Sequence, residues 1–175
     1  LNSNESLKIL FEIEKKLFLK KNINNQITSL FITGLARSGS TILLNSLYNT
    51  KFFASLKYRD MPFITSPNLW SKINLKKKKG NFQSRAHNDG IKIDYDSPEA
   101  FEEIFWRSQL NLNSKNALAL DQNLYTNKII YNFKKYIQLV CLKEKRNFYL
   151  SKNNSNILRV QTLLNNISRK KILIL

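Results

Sequence analysis

One segment constrains the fold of this chain more than any other, a glycine-containing loop that joins a predicted strand directly to a predicted helix. Residues 27–33 (ITSLFIT) are apolar and β-rich, which predicts a buried strand. The loop of residues 34–41 (GLARSGST) follows at once, and residues 42–48 (ILLNSLY) have helical character. Such a loop turns its backbone N–H groups inward, and the helix adds its positive end. The segment therefore predicts a binding site for a phosphate.

The residue after the second glycine of the loop separates classes of phosphate-binding protein. A nucleoside-triphosphate hydrolase has lysine at this position, where it reaches the β- and γ-phosphates. Here the position is Ser40, and the cation is Arg37 inside the loop, which disfavours ATP or GTP hydrolysis. A glycine–serine turn that binds nothing is the simpler alternative. Two glycines, an internal arginine and a Ser-Thr pair between a strand and a helix favour the phosphate site.

The rest of the chain alternates predicted strands with predicted helices. Apolar spacing or a start signal predicts helices at residues 5–21, within 62–73, from Ser97 (N-cap) and Pro98 (first position), at 123–145 and at 156–167. Apolar or β-rich runs predict strands at residues 52–56, 147–150 and 171–175. This alternation predicts an α/β fold with three layers, α/β/α, around a parallel sheet.

The length of 175 residues suits one domain with a hydrophobic core. Residues 1–175 are therefore interpreted as a single domain with four recognisable parts. These are an N-terminal helix in 1–25, the strand, phosphate loop and helix of 27–50, a loop insertion at 76–96, and a strand–helix–strand unit at 147–175.

Composition limits the possible partners and the compartment. The net charge of +17 favours an anionic ligand, but 22 of the 29 basic residues are lysines scattered through every segment alongside 23 asparagines. This distribution indicates compositional bias more than a nucleic-acid stripe. No apolar run approaches the roughly 20 residues of a membrane span. Cys141 is the only cysteine, which excludes an internal disulfide and fits a cytoplasmic location.

Two separate segments resemble a known enzyme family. Residues 31–44 (FITGLARSGSTILL) resemble the 5′-phosphosulfate loop of the sulfotransferases that use 3′-phosphoadenosine 5′-phosphosulfate (PAPS). Residues 149–154 (YLSKNN), with the helix and strand predicted after them, resemble that family's strand-end lysine segment. The resemblance implies a P-loop NTPase-like fold that hydrolyses no nucleotide and requires no metal. It also implies transfer of the PAPS sulfonate to a hydroxyl or amine.

The resemblance assigns roles residue by residue. The implied nucleotide-binding residues are Arg37, Ser38, Gly39, Ser40 and Thr41. Backbone amides and the two hydroxyls at the helix start would bind the 5′-phosphate. Arg37 would stabilise the leaving-group oxygens by charge and not as an acid, because arginine stays protonated. Lys152 would hold the transferring sulfonate.

The catalytic base is less well defined than the nucleotide loop. Cytosolic members of the family have a histidine two residues after the strand-end lysine, whereas this chain has Asn154, which takes no proton. The candidates are His87, Asp89, Glu102 and Glu103. His87 is placed first because an ordinary histidine pKa near ~6.5 suits a general base. The two glutamates are also explained as first-turn charges that stabilise a helix.

Other features of the family extend past this chain, and two other functions remain open. The family's 3′-phosphate site uses an arginine and a serine that would follow residue 175, so we expect the domain to be incomplete at its C-terminus. The acceptor stays unassigned among carbohydrate, lipid, peptide and small molecule. The alternatives are a P-loop nucleotide kinase or phosphotransferase, and a basic nucleic-acid-binding module without enzymatic activity.

Overall fold

The computed structural model of the chain describes residues 4–19, 27–73, 83–84, 92–110, 124–168 and 170–175. The helices are α1 (Asn4–Phe18), α2 (Ser40–Asn49), α3 (Pro67–Ile73), α4 (Glu102–Leu110), α5 (Asn127–Glu144) and α6 (Val160–Asn166). The strands are β1 (Thr28–Thr33), β2 (Phe53–Ala54), β3 (Gln83–Ser84), β4 (Lys92–Ile93), β5 (Phe148–Lys152) and β6 (Lys170–Ile174). Most of the insertion predicted at 76–96 lies outside the described residues, and β3 and β4 within it pair antiparallel.

Four strands form one parallel sheet in the order β2-β5-β1-β6. The strand of the glycine loop, β1, is therefore central, with β5 on one side and β6 on the other. Helices cover both faces of the sheet, which confirms the predicted α/β class and its parallel sheet. Among the described helices, none is long and apolar enough to cross a membrane.

Alternating side chains along β1 and β5 feed two separate apolar clusters. Ile32 and Leu150 pack with Leu44 of α2 on one face of the sheet. Phe31 and Tyr149 point to the opposite face, into the larger cluster built mainly from α4 and α5. Because side chains of a strand point alternately to opposite faces, this pattern also fixes the direction of the residues that follow each strand.

Aromatic rings dominate the larger cluster. Phe133 of α5 lies 4.2 Å from Trp106, 5.6 Å from Phe105 and 6.1 Å from Phe31, measured between ring centroids. All four side chains are fully buried. Phe105 and Trp106, the aromatic residues of α4, are thus part of the core.

Helix α1 is attached to the domain by a buried carboxylate. Glu14, which is 0% exposed, accepts hydrogen bonds from the backbone N–H groups of Asn68 and Leu69 at 2.7 and 2.9 Å. These amides belong to the first turn of α3, where a negative charge is favourable. Burial is the main cause that raises the pKa of Glu14, and these hydrogen bonds oppose the increase.

The predicted helix start at Ser97 and Pro98 is wrong, because α4 begins at Glu102. Residues 97–99 instead run beside the segment that follows β2. Tyr58 N donates to Ser97 O at 3.2 Å, and Glu99 N donates to Leu56 O at 3.1 Å. A second difference concerns the predicted helix at 156–167, whose first part is a 3-10 helix at Asn154–Arg159.

Replacing Phe133 with alanine tests the aromatic core. We expect Phe133→Ala to lower the free energy of unfolding by about 4 kcal/mol, because the change leaves a cavity between three rings. Phe52, which is 69% exposed, provides the matched control, and Phe52→Ala is expected to cost less than about 0.5 kcal/mol. Urea unfolding of both variants measures the difference. Equal losses would contradict the packing described above.

Candidate functional site

The glycine loop begins where β1 ends, and its first residue touches the neighbouring strand segment. Leu175 N donates to Thr33 O at 3.0 Å, and Leu35 N donates to Leu175 O at 3.3 Å. A Cβ atom on Gly34 would lie 2.1 Å from Leu175 O, and Gly34 has φ +151°. Only glycine satisfies both the contact and the backbone angle, so Gly34 lets the loop leave the sheet at this point.

The loop leads directly into α2, and the N-cap residue of this helix is a glycine. This residue, Gly39, adopts the left-handed conformation with φ 82° and has no side chain that could cap the first turn. Ser40 and Thr41, which are 4% and 8% exposed, open the helix. An uncapped helix N-terminus directs backbone N–H groups and a positive dipole toward a bound anion.

Two further features of the loop favour a bound group. Arg37 is exposed and has φ 72°, a strained angle for a residue with a side chain. The Oγ atom of Ser38 is buried and has no hydrogen-bond partner among the described residues. Because buried polar atoms are normally satisfied, this hydroxyl is suited to a ligand oxygen.

Lys152 lies at the end of β5, beside the start of the loop. Its Cα pairs with Ile32, and its position two residues after Leu150 places it on the α2 face of the sheet. The side chain is largely buried, with 9% of the residue exposed. The structure therefore brings the predicted strand-end lysine and the predicted phosphate loop to the same edge and the same face of the sheet.

The turn after Lys152 is hydrogen bonded to the end of β1. Asn153 N donates to Ile32 O at 2.9 Å. Thr33 Oγ1 donates to Asn154 O at 3.1 Å. The Oδ1 atom of Asn154 is buried and has no hydrogen-bond partner among the described residues. A second unsatisfied acceptor thus lies two residues after the lysine.

Glu102, one of the candidate bases, is enclosed by donors from three elements. It is 1% exposed and accepts hydrogen bonds from Trp106 Nε1 (2.9 Å), Tyr149 OH (2.8 Å) and Asn156 Nδ2 (2.9 Å). Burial first, and then the Glu102 carboxylate, raises the pKa of Tyr149 well above its usual value, so the phenol keeps its proton. The carboxylate is used to connect α4 to β5 and to the segment after it.

Glu103, the neighbouring candidate, forms a bidentate ion pair with Arg159. Arg159 Nη1 donates to Glu103 Oε2 at 2.7 Å, and Arg159 Nη2 donates to Glu103 Oε1 at 2.8 Å. Burial alone would lower the pKa of Arg159, but the hydrogen bonds and charge of Glu103 raise it overall. Both carboxylate oxygens of Glu103 are therefore engaged with a permanent cation.

Two candidate bases and the single cysteine remain to be placed. His87 and Asp89 lie outside the described residues. Cys141 is buried, and burial together with Glu144 raises the pKa of its thiol to about 12, so it is no nucleophile. Within the ranges that the structure describes, no group of three histidine, cysteine or acidic side chains is placed to hold a metal.

The residues that hold the turn after Lys152 were not predicted from the sequence. Arg159 is 1% exposed, although its position in a predicted amphipathic helix is typical of a surface charge. Asn153 and Thr33 connect the strand ends, yet their local sequence indicates only a turn and a strand. The one usable signal was the arginine itself, which stands between Leu158 and Val160 in an otherwise apolar run.

Comparison with known proteins supports the fold and leaves the family undetermined. The sequence matches no protein-family profile and no curated protein. The structure is similar to the crystal structure of sulfotransferase STF1 from Mycobacterium tuberculosis H37Rv, with a TM-score of 0.57 and 16% sequence identity. The match covers 98% of this chain and 51% of the mycobacterial chain, so this chain spans about half of that protein's length. The similarity establishes a sulfotransferase-like α/β fold.

The two loop glycines provide a matched test of the loop geometry. We expect Gly34→Ala to lower the free energy of unfolding by about 3 kcal/mol, because the new Cβ atom meets the Leu175 carbonyl and φ is unfavourable. Gly39→Ala places its Cβ atom in open space and is expected to cost only about 1 kcal/mol for its backbone angle. Urea unfolding measures both losses, and equal losses would contradict the contact with Leu175.

Proposed function

We propose that this chain is the nucleotide-binding part of a sulfotransferase, which moves the sulfonate of PAPS to a hydroxyl or amine of an acceptor. One observation carries the proposal. A phosphate-type loop with Arg37 inside it and Ser40 in the usual lysine position lies beside a buried lysine, Lys152, at the end of the adjacent parallel strand. The fold similarity to a mycobacterial sulfotransferase supports the same class.

The proposed roles follow from charge and position. Backbone amides at the start of α2, with the hydroxyls of Ser40 and Thr41, bind the 5′-phosphate. Arg37 neutralises the negative charge that develops on the leaving phosphate oxygens. Lys152 holds the sulfonate in line for attack. The donor supplies an activated sulfonate, and the acceptor oxygen or nitrogen bonds to sulfur as the sulfur–oxygen bond to the phosphate breaks.

Two buried polar atoms of the described residues fit the reactants of such a transfer. Ser38 Oγ and Asn154 Oδ1 are buried polar atoms without partners among the described residues, one in the loop and one after β5. A hydroxyl can donate to a phosphate or sulfonate oxygen, whereas an amide oxygen accepts from a hydroxyl or amine. Ser38 is therefore suited to the donor, and Asn154 to an N–H or O–H group.

The base is assigned to His87, with Asp89 as the alternative from the same segment. Glu102 and Glu103 are excluded from this role in the proposal, because every oxygen of the pair accepts a hydrogen bond. In the proposed step the base takes the proton of the attacking hydroxyl or amine, and 3′-phosphoadenosine 5′-phosphate (PAP) leaves. The acceptor class remains open among carbohydrate, lipid, peptide and small molecule.

Nucleotide binding to the full-length protein, in which the resemblance places the 3′-phosphate site after residue 175, tests the proposal. We expect isothermal titration calorimetry to show tighter binding of PAP than of ATP or of a short DNA duplex. Arg37→Ala is expected to weaken PAP binding by about 2 kcal/mol, roughly 30-fold, as for loss of a charged hydrogen bond. Lys128→Ala removes the same charge from the exposed first turn of α5 and is expected to leave PAP affinity unchanged.

Two results would count against the proposal. Preferred binding of ATP would favour the nucleotide kinase alternative. Tightest binding to DNA, with a steep dependence on salt and no preference for PAP, would favour the nucleic-acid module. Equal PAP affinity in Arg37→Ala and Lys128→Ala would remove Arg37 from the site.

A further inference from the structure

We propose that the Glu103–Arg159 ion pair positions Lys152, and that the pair does so through the Asn153 side chain. The inference rests on the proposed function, because that function gives Lys152 its sulfonate. Glu103 and Arg159 are positioning residues here, since they act on the site through the turn that follows β5. Four links in the structure carry the argument.

The first link is the rigidity of the ion pair. Besides both oxygens of Glu103, Arg159 donates to Asn156 Oδ1 at 3.1 Å and to Tyr125 OH at 3.2 Å. The guanidinium also lies 5.2 Å from the centroid of the Trp106 ring. The planar fork of the arginine is thus held at its edges and on one face, away from water that could replace a lost partner.

The second link joins the ion pair to Asn153. Glu103 Oε2 accepts from Arg159 Nη1 and also from Asn153 Nδ2, at 2.7 and 2.8 Å. Asn153 Oδ1 accepts from Ser155 N at 3.0 Å, which starts the 3-10 helix. Both ends of the Asn153 amide are therefore fixed, one by the ion pair and one by the backbone.

The third link joins Asn153 to the phosphate loop. Asn153 N donates to Ile32 O, and the next residue accepts from Thr33 Oγ1. Ile32 and Thr33 are the last two residues before the loop begins at Gly34. The turn that the ion pair holds is thus attached to the strand that carries the loop.

The fourth link is covalent. Lys152 immediately precedes Asn153, and its Cα is paired with Ile32 in the sheet. Loss of the Glu103 charge would weaken the shorter hydrogen bond of Asn153 Nδ2 and leave that group its longer one, to Asn156 Oδ1 at 3.3 Å, so the end of β5 would be held less firmly. We therefore expect the Lys152 ammonium to become less well positioned toward the loop, and a shift of about 1 Å is enough to weaken a catalytic contact strongly.

Acetylation of Lys152 tests the positioning without any nucleotide. Peptide mass spectrometry measures its rate of modification by acetic anhydride in the folded protein. We expect Glu103→Gln to raise this rate roughly tenfold, which corresponds to loss of a charged hydrogen bond. Glu14→Gln is the matched control, because it also removes a hydrogen-bonded carboxylate but lies on α1 and contacts α3.

A second variant separates positioning from general loss of stability. Asn153→Ala leaves the Glu103–Arg159 pair in place and removes its connection to the turn, together with the side-chain hydrogen bonds to Ser155 N and Asn156 Oδ1. It is expected to raise Lys152 acetylation as Glu103→Gln does. This variant also decides the matter if Glu103→Gln does not fold. Acetylation that rises equally in Glu14→Gln, or that stays at the wild-type rate in Asn153→Ala, would overturn the inference.

The ratio of PAPS affinity to PAP affinity tests the consequence for the sulfonate. We expect Lys152→Ala and Glu103→Gln each to lower this ratio roughly tenfold. The double variant is expected to lower it no further, because both changes remove the same contact. A wild-type ratio in Glu103→Gln would overturn the inference. A full-length wild-type protein that binds neither nucleotide would overturn the proposed function instead, and the acetylation rates would still decide the positioning.

Discussion

The carboxyl end of β1 is held by backbone hydrogen bonds on both sides, and the geometry of the candidate site depends on this restraint. Ile32 O accepts from Asn153 N on the β5 side, and Thr33 O accepts from Leu175 N on the β6 side. The chain turns away from the sheet at Gly34, the first residue after this doubly held segment. Parallel strands place their carboxyl ends at one edge, so the loop and Lys152 lie together without any direct contact between them being required.

The half of the candidate site that contains the glycine loop and Lys152 could be predicted from local sequence. The loop of residues 34–41 has its pattern in consecutive residues, and Lys152 follows an apolar strand whose end must meet the same edge. The supporting half could not be predicted, because Glu103 and Arg159 are 56 residues apart and each has an ordinary local explanation. A glutamate in the first turn of a helix suits the helix dipole wherever the helix lies. Only the packing of α4 against the segment after β5 shows that the Glu103 carboxylate pairs with Arg159.

Contacts between residues distant in sequence also explain why the predicted helix start at Ser97 is wrong. Serine followed by proline and acidic residues is a strong local signal for a helix N-terminus. In the folded chain the backbone of residues 97–99 is used for pairing with residues 56–58, and the helix starts once that pairing ends. A tertiary hydrogen bond to a neighbouring segment thus replaced the capping geometry that the local sequence favoured.

Because several carboxylates are buried, the net charge of +17 understates how basic the surface is. Carboxylates that lie inside the domain are Glu14, Asp60, Glu99 and Glu102. They are committed to hydrogen bonds and ion pairs there, so they do little to offset the lysines at the surface. By contrast, the buried lysines of the described chain are Lys57, which pairs with Glu144 at 3.0 Å, and Lys152. Burial sets Lys152 apart from the lysines at the surface, and it shares this property with Lys57 and Arg159.

Burying and immobilising the Lys152 side chain costs free energy. Restricting its long side chain loses about 2 kcal/mol of conformational free energy, and burying the ammonium adds a desolvation cost. In the proposed positioning, the hydrogen bonds among the Arg159 guanidinium, the Glu103 carboxylate and the Asn153 amide hold the residue after the lysine and offset part of this cost. On the side of the loop, the N-cap residue of α2 is a glycine, and the Ser38 hydroxyl has no partner among the described residues. We therefore expect the turn after β5 to be ordered before a ligand binds. The ligand then needs to form hydrogen bonds only with the loop and the start of α2.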